Sequence, residues 1–79
     1  MLQDKIAIVT GAASGIGYAV AQALCQEKAQ VVMVDVNEPL LAEAAHALGG
    51  IPLVANLTRR EDCRRVVEFT AEKYGRVDI

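Results

Sequence analysis

The sequence predicts an α/β chain in which parallel strands alternate with helices, and three observations carry that expectation. Ile6 to Val9 and Val31 to Val34 are continuous apolar runs without polar alternation, the pattern of strands buried on both faces. The stretches after them repeat their apolar residues every three or four positions, which is the helical period. The resulting order is strand, helix, strand, helix, strand, helix, strand. It demands right-handed crossovers between parallel strands, so an open sheet is covered by helices on both faces, three layers in all.

The first strand, Lys5 to Thr10, closes at Gly11. The helix after it is expected to bury Ile16, Ala19, Val20, Ala23 and Leu24, at i, i+3, i+4, i+7 and i+8, with Gln22, Gln26, Glu27 and Lys28 opposite and Cys25 between the two faces. The second strand ends at Asp35. Asn37 then supplies a cap and Pro39 a first-turn proline for a second helix, whose buried stripe is Leu40, Leu41, Ala44, Ala45 and Leu48. Gly49-Gly50 stops it. Ile51 to Ala55 reads as a third strand, and Pro52, which cannot donate to a ladder, puts that strand at the sheet edge. Thr58-Arg59-Arg60-Glu61 has capping-box spacing and opens a third helix, with Cys63, Val66, Val67, Thr70 and Tyr74 on its inner face and Gly75 at its end. Val77-Asp78-Ile79 reads as the start of a fourth strand.

Composition sets limits. With 53% hydrophobic residues the chain of 79 is ordered, not disordered. A chain this short buries only about 60% of its unfolded surface, so it forms at most one small domain or part of one. Its net charge of −2 leaves no attraction of the whole molecule to a phosphate backbone or an anionic membrane, so no nucleic-acid or membrane partner is expected. No apolar run approaches the ~20 residues of a membrane span, and no basic leader precedes one, so a soluble, cytoplasmic protein is expected. Cys25 and Cys63 are too few for a disulfide scaffold and too far apart for a metal clip or redox pair, hence reduced thiols.

Ligands of such sheets bind at the carboxyl ends of the strands. There the first strand runs into Thr10-Gly11-Ala12-Ala13-Ser14-Gly15-Ile16-Gly17, and the helix opens within it. Glycines permit a tight turn and close backbone approach, while a helix N-terminus offers free N–H groups and a positive dipole end, which together suit a pyrophosphate. Asp35 lies 18 residues beyond Gly17 at the end of the second strand, near the roughly 20 expected of a ribose-binding carboxylate. The fold expected is therefore Rossmann-type.

The glycine spacing, G-x-x-x-G-x-G, resembles the cofactor signature of the short-chain dehydrogenase/reductase family, and the resemblance runs the whole length of the chain. It implies that Gly11, Ser14, Gly15, Ile16 and Gly17 lie against the pyrophosphate, with Ser14 and Ile16 contributing through backbone or hydroxyl. It also implies that Asp35 selects NAD. Members preferring NADP usually carry a basic residue where this sequence has Ser14 or Val36. Asn56-Leu57 matches the place where the family usually has Asp and an aliphatic residue beside the adenine; Asn56 departs from that pattern, and its carboxamide oxygen is expected to accept from the adenine amino group. The family's Asn-Asn-Ala-Gly stretch, catalytic Ser and Tyr-x-x-x-Lys would all fall beyond Ile79, so no catalytic residue is expected here. Tyr18 is followed four residues later by Gln22, and Tyr74 by Asp78.

Residues 1–79 thus read as the N-terminal portion of a single NAD-binding domain, whose parent enzyme passes hydride between NAD and an alcohol or carbonyl. The resemblance implies a homo-oligomeric parent, and the chain alone is expected to be inert and marginally folded. The alternative is a non-catalytic truncated nucleotide-binding or interaction module; a methyltransferase is disfavoured by the glycine spacing. Arg59, Arg60, Arg64 and Arg65 interleave with Glu61, Asp62, Glu68 and Glu72, a solvated, salt-bridged face rather than a binding patch. His46 stands alone near a helix end with no second ligand at metal spacing, so no metal is expected.

Overall fold

The structure, a computed structural model, describes residues 3–78. Six elements follow one another: β1 (Ile6–Thr10), α1 (Gly15–Gln26), β2 (Gln30–Asp35), α2 (Glu38–Leu48), β3 (Ile51–Val54) and α3 (Arg60–Tyr74). The strands form one parallel sheet in the order β1-β2-β3. Ala7 is level with Val31, and Met33 with Pro52. β3 is an edge strand, as Pro52 requires.

Alternate strand residues face opposite layers. Ala7, Val9, Val31 and Met33 meet Ala21 of α1 and Leu41, Ala44 and Ala45 of α2 on one face. Val32 and Val34 meet Val66 of α3 on the other, with Ile8, Leu53, Phe69 and Tyr74 at the rim. The helices therefore lie on both sides of the sheet, and β2, between them, is buried over Val31–Val34.

α1 sits on the sheet by a different face from the one its large apolar residues suggest. Ile16 is 85% and Val20 44% exposed. The buried side is instead Ala21, flanked by half-buried Gly17, Tyr18, Leu24 and Cys25. Gly17 fixes this rotation, because a Cβ there would collide with the carbonyls of Gly11 and Thr10. Helix and turn touch at backbone level, and only small residues fit the line from Gly17 to Ala21. Burial pushes the Cys25 thiol pKa up.

Other boundaries shift by a residue or two. In α2 Asn37 caps through Oδ1, which accepts from Leu40 N at 3.1 Å, and Pro39 occupies the first turn as expected. Leu40, however, is exposed where Leu41 is fully buried. The Thr58 to Glu61 capping box does not form. α3 begins one residue later with Arg59 at its N-cap and no side-chain cap, because the Thr58 hydroxyl is drawn back to Asn56. On α3 Val66 and Thr70 are buried and Thr70 Oγ1 donates to Val66 O at 2.8 Å, whereas Cys63 and Val67 are exposed. Phe69 takes the inner place expected of Val67.

Val77-Asp78 is not a strand among the described residues, and Ile79 lies outside them. Asp78 nonetheless docks on the outer edge of β1. Its N–H donates to Ile6 O at 2.8 Å, and its Oδ2 accepts from Ile6 N at 2.8 Å and from Arg76 Nε at 2.9 Å.

Candidate functional site

The carboxyl ends of all three strands meet at one cleft. Its volume is about 420 Å³, and it is lined by Thr10 and Gly11 after β1, Val34, Asp35 and Val36 at the end of β2, and Ala55, Asn56, Leu57 and Thr58 after β3. Parallel strands with short exits bring these three turns together without further design.

The turn from β1 to α1 is tied to β2 at two points. Ala12 N donates to Val34 O at 3.0 Å, and Ala13 N donates to Asp35 Oδ2 at 3.1 Å. Both alanines are buried. Gly11 and Gly15 each hold φ at +61°, a left-handed backbone that leaves open space where a Cβ would project. Ser14 stands at the N-cap in extended conformation, and its side chain makes no capping bond. Among the described residues the N–H groups of Gly15, Ile16 and Gly17 find no acceptor, and the first turn of α1 carries no acidic residue. The helix thus presents bare donors and the positive end of its dipole beside the cleft.

Asp35 faces this helix end. Burial pushes its pKa up, but hydrogen bonds from the Ala13, Asn37 and Val36 backbone outweigh that and hold it below the usual carboxylate value. The carboxylate therefore stays charged at neutral pH. Its Oδ1 accepts from Val36 N at 2.7 Å and from Asn37 N at 3.3 Å.

Asn56 closes the far side as the hub of a turn. Its N–H donates to Asp62 Oδ2 at 2.7 Å, while its Oδ1 accepts from Thr58 N at 3.0 Å and from the Thr58 hydroxyl at 2.6 Å. The carboxamide oxygen, expected to accept from an adenine amino group, is therefore already occupied by Thr58. Arg59, Asp62 and Arg65 line a second hollow on the outer side of Asn56. Arg65 spends its guanidinium on Val54 O at 2.7 Å and on Asp62 at 4.0 Å. That contact with Asp62 is the one ion pair of α3 among the described residues, far from the laced face its composition suggests.

The sequence profile described as short chain dehydrogenase matches residues 5–79. The chain belongs to the short-chain dehydrogenase family. It is 43% identical over 82 residues to a zerumbone synthase of Zingiber zerumbet, covering 99% of this chain and 31% of that protein. It is 40% identical over 83 residues to a 3-oxoacyl-(acyl-carrier-protein) reductase of Thermotoga maritima, covering 99% and 34%. The structure of a short chain dehydrogenase/reductase from Burkholderia phymatum in complex with NAD superposes with a TM-score of 0.92 at 26% identity, over 96% of this chain and 29% of that one. The chain spans about a third of the length of the curated relatives it matches.

Within this short-chain dehydrogenase chain, Gly11, Asp35, Asn56 and Leu57 line the one cleft, and Ser14, Gly15, Ile16 and Gly17 form the helix end beside it. Sequence reasoning missed Thr58, whose hydroxyl decides the state of Asn56, and Ala13, whose N–H holds Asp35. Ala13 carried a signal in its small size within the turn; Thr58 carried one too, but it pointed to a helix cap.

Proposed function

We propose that the chain is the NAD-binding start of an oxidoreductase that moves hydride between NAD and an alcohol or carbonyl substrate. One observation supports this above others: the bare donor end of α1 and the charged Asp35 carboxylate flank the same cleft. A dinucleotide asks for both, since its pyrophosphate is an acceptor-rich dianion and its ribose carries a pair of hydroxyl donors. The donor set therefore fits the cofactor.

In this reading the pyrophosphate lies against Gly11 to Gly17, held by the N–H groups of Gly15, Ile16 and Gly17 and by the Ser14 hydroxyl. The adenosine ribose hydrogen-bonds Asp35. Three of the carboxylate's four acceptor sites are filled, and the longest of those bonds, to Asn37 N at 3.3 Å, is the one a ribose hydroxyl displaces most easily. The adenine rests between Val36 and Leu57, beside Asn56. Bound nicotinamide supplies the hydride acceptor or donor. The acid and base of the reaction come from residues outside this sequence, since neither Tyr18 nor Tyr74 has a lysine four positions on.

A 2′-phosphate would sit beside the Asp35 carboxylate with no basic side chain at Ser14 or Val36 to offset it. One such pair at ~4 Å is worth roughly 4 kcal/mol at an effective dielectric of 20, and less once salt screens it. In a calorimetric titration of the full-length protein, NAD should bind at least about tenfold tighter than NADP, and Asp35→Ala should narrow that ratio. Equal or tighter NADP binding refutes the preference. Binding of neither refutes the dinucleotide reading, and binding without alcohol-dependent NADH formation favours a non-catalytic module.

A further inference from the structure

We propose that Asn56 meets the base of the dinucleotide as a hydrogen-bond donor, through Nδ2, and that the site therefore takes hypoxanthine nearly as readily as adenine. This deepens the reading above and rests on it. A carboxamide oxygen has two acceptor sites, and at Asn56 Oδ1 both are filled, by Thr58 N at 3.0 Å and the Thr58 hydroxyl at 2.6 Å. The assignment of O and N in this side chain is not arbitrary. A backbone N–H can only donate, so the atom facing Thr58 N must be the oxygen. Nδ2, the other end of the same planar group, has no partner among the described residues, and Asn56 lines the cleft. What the side chain has left to offer a ligand is two N–H bonds and no lone pair.

That polarity decides which base edges match. Adenine carries ring acceptors and an exocyclic amino donor, whereas hypoxanthine has a carbonyl oxygen in place of that amino group and a proton on N1; N7 is an acceptor in both. A carboxylate at position 56, with one oxygen held by Thr58 and the other facing the base, would attract the amino group and repel the carbonyl. The amide that is present reverses the second preference. It donates to N7 of adenine, or to N7 or the carbonyl oxygen of hypoxanthine, and on that edge it rejects neither.

The test compares NAD with nicotinamide hypoxanthine dinucleotide by calorimetric titration of the full-length protein. Wild type should bind the two within about threefold of each other, the difference of one neutral hydrogen bond or less. Asn56→Asp keeps the turn, because its carboxylate still accepts from Thr58. It should retain NAD while shifting the ratio at least about tenfold against the hypoxanthine form, the scale of a charge-assisted bond replaced by repulsion. Thr58→Val, which empties one acceptor site of Oδ1, should move the ratio in the same direction by a smaller factor. A wild type that already prefers NAD tenfold, or an Asn56→Asp ratio equal to that of wild type, overturns the donor assignment while leaving dinucleotide binding intact. If neither compound binds wild type, the dinucleotide reading falls and takes this one with it.

Discussion

Gly17 makes no contact through a side chain, yet its lack of one sets both the packing of α1 and the shape of the turn before it. The atoms that a Cβ would strike are the carbonyls of Gly11 and Thr10, backbone that cannot swing aside. Gly17→Ala should therefore lower stability by about 1–3 kcal/mol, the range for forcing atoms into a filled space. Gly15→Ala is the contrast. Its Cβ meets open space but must hold φ at +61°, which costs about 1–2 kcal/mol through conformation alone. Urea unfolding of both variants checks the difference. An unchanged midpoint for Gly17→Ala would show that helix and turn do not touch as described. The glycine spacing made the turn legible in the sequence, because few uses other than close approach require three glycines at those positions. The state of Asn56 was not legible. It depends on a hydroxyl two residues away that has an equally good alternative as a helix cap, and only the three-dimensional turn shows which partner wins.

At the scale of elements, the strands and the order of helices follow from the sequence because burial on two faces leaves a run such as Val31 to Val34 no other reading. The face of α1 does not follow, and the reason is physical. Periodicity weights residues by apolar size, so Ile16 and Val20 dominate it, whereas close contact with a sheet rewards small residues and selects Gly17 and Ala21. The end of α1 shows a second feature that composition hides. Ala29 N donates to Leu24 O at 3.1 Å and Lys28 N to Cys25 O at 3.0 Å, the paired bonds of a Schellman motif, with Lys28 held at φ +72° in the place where glycine is favoured. A lysine pays for that conformation with its Cβ. Lys28→Gly should accordingly raise stability by about 1 kcal/mol, seen as a higher urea midpoint with unchanged slope. A lower midpoint would mean that the extra freedom of glycine in the unfolded chain outweighs the strain relieved at this turn.

For the whole molecule the exposed feature is the outer edge of β1. β2 covers one side of that strand, and on the other side, among the described residues, only Ile6 has its backbone bonds filled, by Asp78. Ile8 and Thr10, two and four residues on, turn their N–H and C=O groups the same way, and an unpaired edge next to an apolar run invites association. Arg76 reaches Asp4 O at 3.5 Å and Asp78 Oδ2 at 2.9 Å, so residues 76–78 bind the beginning of the chain to its end across one short clip. The clip is electrostatic in part. The Ile6 N–H, and after it the Arg76 guanidinium, hold the Asp78 carboxyl below its usual pKa. A carboxylate whose pKa is lower folded than unfolded adds stability at every pH above the unfolded value, about 3.9, and loses it as pH falls through the lower folded one. Stability of the 79-residue chain should thus decline below about pH 5, and Asp78→Asn, which keeps an acceptor for Ile6 N but no charge, should decline less steeply over the same range. Asp35 titrates alike in both proteins, so the difference between their slopes isolates Asp78. Urea midpoints measured from pH 6 down to about pH 3 make the comparison, and parallel slopes would show that Asp78 holds β1 by geometry alone. Sedimentation at matched pH adds the consequence for the edge: as protonation loosens the clip, Ile6 joins Ile8 and Thr10 in offering unpaired backbone, and self-association should rise in wild type over the same interval in which its stability falls.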